Sequence, residues 1–190
     1  VKTQARKLSP TANRGEAKGE GKGPIGIPVD DKTASMDKQA GYSHYWYPQR
    51  PFEDVEWAKI VQEAKKIIAK AIRTKSIKAP VGDYYDDVIS KEGIQVKGPF
   101  GTGKPILDNK EIRLNGDGSY SDRHPGEDSM DHETFSMKKT PAERDMDVTD
   151  FVKTARKPYD AVVVSILAAI KKIAPGALKL KSDGTIKKVL

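Results

Sequence analysis

Apolar positions first fall into a regular pattern in "EDVEWAKIVQEAKKIIAKAIRTK" (53–75). Trp57, Ile60, Val61, Ala64, Ile67, Ile68, Ala71 and Ile72 recur three or four residues apart, which places them on one face of a helix. Glu53, Asp54 and Glu56 at its start and Lys70, Arg73 and Lys75 at its end suit the helix dipole. The pattern predicts a helix packed on a core, with a structural role. A second helix is predicted from Pro158, a residue suited to a first helical turn, to Ile173, ahead of Pro175-Gly176. Apolar residues surround most of its circumference, so it should be the more deeply buried. Its β-branched "AVVV" start leaves helix and strand both open there.

Between these helices the period changes to two. Residues 93–97 ("GIQVK"), 110–114 ("KEIRL") and 133–137 ("ETFSM") read as short strands, separated by the turn signals "NGDGS" and "RHPGED". After the second helix "ALKLKS" (177–182) alternates again, and "SDG" makes a turn. No internal repeat is present. This order predicts an α+β fold: a small, largely antiparallel sheet with two main helices packed on one face.

Residues 1–40 show almost no hydrophobic periodicity, and "NRGEAKGEGKGPIGIP" offers too little apolar surface to offset the entropy of ordering. They are expected to form a flexible basic arm, with one domain over 41–190. Lys2, Arg6, Lys7, Arg14, Lys18 and Lys22 would be the arm's partner contacts. The stretch that follows, "GYSHYWYPQRPF" (41–52), is rich in aromatic residues. Tyr42, Tyr45, Trp46, Tyr47 and Phe52 could stack nucleobases beside Arg50, or form an apolar lid whose path Pro48 and Pro51 fix; the lid is the favoured reading.

Charge adds a second division of the 190 residues. The net charge is +7, yet residues 108–150 hold twelve acids against six bases, and residues 151–190 hold nine bases against two acids. Such segregation suits contact with a polyanion or charge pairing within an assembly, set against a surface charged only for solubility. Cysteine is absent, which excludes disulfides, thiolate zinc sites and a cysteine nucleophile, and fits a reducing compartment. The longest apolar run, 161–170, is too short for a bilayer and is broken by Ser165, so no membrane partner is expected. Residues 1–30 lack the apolar stretch of a secretory signal, which points to an intracellular or virion location.

Three stretches carry candidate chemistry. "GPFGTGKP" (98–105) satisfies G-x-x-x-x-G-K, but Pro105 stands where a Ser or Thr would ligate magnesium, and "ILDNKEIRL" reads as turn and strand where a phosphate loop needs a helix. A glycine-rich turn is the better reading, and no cofactor is expected. "SDRHPGEDSMDHETF" (121–135) offers Asp122, His124, Glu127, Asp128, Asp131, His132 and Glu133; His124, Asp128 and His132 are candidate metal ligands without a ligand spacing, and a solvated acidic loop is the alternative. His132 and Glu133, beside a strand, are the candidates for proton transfer. In "KTARKPYD" (153–160), Lys153, Thr154, Arg156 and Lys157 precede a helix, where free N–H groups would add to their charge and favour an anion. They could equally pair with the acidic middle of the chain.

The combination "LNGDG", "HETF", "KTARKPYD" and "SDG", in that order after an amphipathic helix, resembles a family of uncharacterised proteins encoded widely in bacteriophage genomes. The resemblance covers about residues 43–185, and "KTARKPYD" is its most specific part. It implies a small intracellular-type protein with no assigned activity, and marks Asn115, His132, Glu133, Lys153, Thr154, Arg156, Lys157, Tyr159, Asp160 and Asp183 for attention. The arm and the insertion-like "KKTPAERDMD" (138–147) depart from the pattern. The expectation is a phage-type binding or assembly protein, virion-associated or in contact with nucleic acid, rather than an enzyme. The rival is a small-anion or nucleotide-binding protein or a metal-dependent enzyme, using His132 and Glu133 with Arg156 and Lys157.

Overall fold

The computed structural model describes residues 42–77, 88–89 and 91–190. The arm and its six named basic residues lie outside the described residues.

The first element is one that hydrophobic periodicity does not announce. Strand β1 (Ser43–Pro48) alternates buried His44, Trp46 and Pro48 with half-buried Tyr45 and Tyr47. The aromatic stretch is therefore part of the core: Tyr42, Trp46 and Phe52 are buried, and Arg50 makes a two-pronged contact with Glu56 at 2.8 Å on each arm. Helix α1 (Asp54–Ile72) begins where that same Glu56 carboxylate accepts the Glu53 N–H, and it buries Trp57, Ile60, Ala64, Ile67 and Ala71, the predicted face.

Two short strands, β2 (Ser76–Ile77) and β3 (Val88–Ile89), pair antiparallel. The glycine-rich loop then turns through Pro99–Gly101 and leads into β4 (Ile106–Leu107) and β5 (Glu111–Leu114). A single-turn helix α2 (Tyr120–Arg123) follows, then β6 (Phe135–Lys138) and β7 (Asp150–Lys153). Helix α3 (Asp160–Ile173) and β8 (Leu178–Ser182) complete the order.

The fold is α+β, with two antiparallel three-stranded sheets where a single sheet is expected from the sequence. One has the order β7-β1-β8, the other β4-β5-β6. Of the predicted strands, 110–114, 133–137 and 177–182 are present within a residue or two, whereas 93–97 contributes only an isolated bridge from Lys97 to Asn115. One buried cluster joins Trp46 and Val152 of the first sheet to Ile112, Leu114, Phe135 and Met137 of the second, and both to α1 and α3. The Trp46 and Phe135 rings meet edge-on, 5.4 Å apart, at the seam between the sheets. Helix α3 is buried continuously from Asp160 to Leu167, as its all-round apolar sequence predicts, and Ile170 extends the contact with α1. Burial of each large side chain contributes about 1.5–3 kcal/mol relative to exposure, so this shared cluster dominates the stability of the domain. Among the described residues no helix is long and apolar enough to cross a membrane.

Candidate functional site

The residues of "KTARKPYD" sit at the junction of β7, β1 and α3. Past Lys153 the chain leaves the sheet sharply, with Ala155 and Arg156 both in the left-handed region at φ 50° and 56°. Two consecutive non-glycine residues there cost on the order of 1–2 kcal/mol each, so the surroundings must enforce the bend. They do so through hydrogen bonds. The N–H groups of Thr154 and Ala155 donate to the Tyr42 carbonyl, and Lys157 N–H donates back to Thr154.

The bend delivers Asp160 to the interior. Its carboxylate, 2 % exposed, accepts the Thr154 hydroxyl at 2.6 Å and the His44 Nε2–H at 2.6 Å. A carboxylate oxygen only accepts, so Nε2 carries the proton and Nδ1 faces the Ser182 hydroxyl at 2.7 Å. Ser182 Oγ also accepts the Gly184 N–H. Beside it, Asp183 accepts the Ser43 N–H with its carboxylate and donates its own N–H to the Ser43 carbonyl. A Cβ on Gly184 would stand 1.9 Å from the Tyr42 hydroxyl, which is why glycine closes "SDG". Ser182, His44 and Asp160 are connected in the order of an acyl-transfer triad. However, His44 is 0 % exposed and both ring nitrogens are taken, so it cannot reach a leaving group.

A second set of bonds ties "NGDG" and "HETF" to the same junction. Buried Asn115 mimics a strand: its amide donates to the His132 carbonyl, and its oxygen accepts the N–H groups of His132 and Gly116. His132 Nδ1 donates to the Lys153 carbonyl at 2.8 Å, and the Glu133 carboxylate accepts the Lys153 N–H at 2.8 Å. Tyr159 donates its hydroxyl to the Glu133 carbonyl. Burial, followed by the nearby carboxylates of Asp160, Glu133 and Asp131, pushes its phenol well above the ordinary range and keeps it a donor. A Cβ on Gly116 would lie 1.9 Å from the Met130 carbonyl, so "NGDG" too depends on close backbone approach.

The predicted residues thus gather into one neighbourhood, but as a network that joins segments. Asn115, His132, Glu133, Lys153, Thr154, Tyr159, Asp160 and Asp183 all participate in it. Two further members were not singled out from the sequence: His44, which carried no signal beyond the scarcity of histidine, and Ser182, which opens the "SDG" motif. The anion site changes. Lys153 is exposed and Lys157 half-buried, while the Arg156 guanidinium lies 4.2 Å from the Tyr42 ring centre as a cation–π contact. The expected free N–H groups at the helix start are absent: those of Asp160, Ala161, Val162 and Val163 donate to Lys157, Pro158 and Tyr159 carbonyls, and Asp160 fills the first turn. Only the side chains remain to attract an anion.

The metal candidates separate. His124 stacks on Tyr120 and contacts Glu92 at 2.8 Å, His132 belongs to the Lys153 junction, and Asp128 is exposed. Among the described residues no group of three or more ligating side chains could hold a metal ion. Glu92 also receives Arg123, and these contacts hold its carboxyl at about 2. The "GPFGTGK" loop closes on itself, Gly98 N–H donating to the Gly103 carbonyl and Gly101 N–H to that of Gly98, and a strand follows. It is a turn. At its tip Phe100 is held at φ 62° and 80 % exposed, a feature the glycine pattern does not foretell. No protein-family model, curated protein or solved structure matches this chain.

Proposed function

We propose that this chain is a non-enzymatic binding and assembly protein of phage type, which meets a polyanion such as nucleic acid through its basic C-terminal region and arm. One observation carries the reading. Lys153, Lys171, Lys172, Lys179, Lys181 and Lys187 stand exposed, while His44 gives both ring nitrogens to other parts of the chain and His124 and His132 give one each, His132 at an exposed position. A general base must reach its substrate; fully buried His44 cannot, and exposed His132 is where the rival enzyme reading would have to place its base. The exposed lysines supply what a phosphate backbone recognises, positive charge without base-specific geometry, although Lys179 also pairs with Asp147 at 3.6 Å.

Fluorescence anisotropy of a labelled oligonucleotide, measured across a salt series, tests this. Binding should weaken steeply as salt rises, and Lys179→Gln with Lys181→Gln should weaken it at low salt and flatten the salt slope. Absence of binding at low salt would end the nucleic-acid reading.

A further inference from the structure

Helices α1 and α3 leave a groove of about 630 Å³ between them. Ile67, Ala168, Ala169 and Ile173 line it, and Lys59, Lys172 and Lys188 stand around it. Small alanine side chains keep it open, and the surrounding charge is predominantly positive. Glu63, the acid present, forms an ion pair with Lys66 at 3.0 Å, and that contact, followed by Lys188 and Lys172, holds its carboxyl below the ordinary range.

Elsewhere on the molecule is a segment of the opposite character. "ERDMDVTDF" (143–151) brings four acids and one base, with Val148 53 % and Phe151 46 % exposed. It is held in shape: Asp147 donates its N–H to the Pro48 carbonyl and its carboxylate accepts from Gln49, while Val148 N–H donates to Asp145. An exposed apolar pair on a fixed acidic loop loses little entropy on docking. Loop and groove share no residue.

We infer that the acidic loop of one copy docks into the lysine-rimmed groove of a second copy. The inference deepens the assembly reading above by naming the partner, and rests on it. Charge selects this occupant. The chain's own residues 1–40, with eight Lys and Arg against five acids, would meet like charge at the groove. A nucleic-acid strand would find no aromatic platform on an Ile and Ala floor. Because groove and loop are different surfaces, each docked copy still offers one of each, so the contact is head-to-tail and copies add into rings or filaments.

The test uses the full chain, freed of nucleic acid, in sedimentation velocity over a concentration series. Mass should grow beyond a dimer at about 0.05 M salt and fall back at about 0.5 M. Lys172→Glu with Lys188→Glu disables the groove, and Glu143→Lys with Val148→Lys disables the loop; each should raise the associating concentration about tenfold or more. All four positions are surface sites, and circular dichroism verifies folding. Mixing the two variants should restore growth with the copies alternating, because the acidic loop of one fits the lysine-rimmed groove of the other and the reversed loop fits the reversed groove. Combining all four changes in one chain reverses both charges and should restore growth. A chain monomeric at high concentration, or association indifferent to these variants, overturns the inference. Salt-sensitive oligonucleotide binding by such a monomer would leave the polyanion reading standing.

Discussion

Asp160 shows how much one buried side chain can hold. Removing its carboxylate in Asp160→Ala leaves the His44 Nε2–H and the Thr154 hydroxyl buried without their acceptor. We expect a loss of about 2–4 kcal/mol in denaturant unfolding. Asp160→Asn, which retains an acceptor oxygen, should lose less; equal losses would mean that the carboxylate's charge matters, and neither side-chain volume nor a neutral acceptor does. Phe100 makes the opposite case. Its side chain is largely in solvent, so replacing it removes little packing, and its φ of 62° suits glycine. Phe100→Gly should therefore leave stability unchanged or raise it by up to about 1 kcal/mol in chemical melts. A clear loss would show that the ring packs on something essential.

Among the elements, the helices were the most legible. The face of α1 and the all-round burial of α3 follow from a period that no other structure shares. Strands β1 and β7 were not legible, for physical reasons. In β1 the buried positions include a histidine and a proline, so hydropathy does not alternate although burial does. In β7 only Val152 is buried, and the lysine and aspartate at its ends look like loop residues. The network residues were legible only as motifs, since their partners lie far away in sequence. At the start of α1, Glu56 allows a pH prediction. The Arg50 guanidinium holds its carboxyl at about 2, against an ordinary 4.5. A lowered folded-state pKa means that this stabilisation is complete above about pH 4.5 and is lost as pH falls toward 2. Thermal melts of Glu56→Gln should show a shallower decline across that window than the unaltered chain, and parallel declines would remove Glu56 from the acid response.

For the whole molecule, sequence gave the class of fold and the segregation of charge, while it left hidden how the parts are joined. The acidic middle and basic end can be counted along the chain, but the groove between α1 and α3 and the acidic loop become surfaces only after folding. The sheet order also had to be seen. Strand β1 lies between β7 and β8, with Ser43 opposite Lys153 and His44 opposite both Val152 and Ser182. Residues 1–41 run directly into that central strand. A tether fastened to them would thus pull along a strand gripped on both sides, and the two ladders would bear the load together in shear, not peel apart one bond at a time.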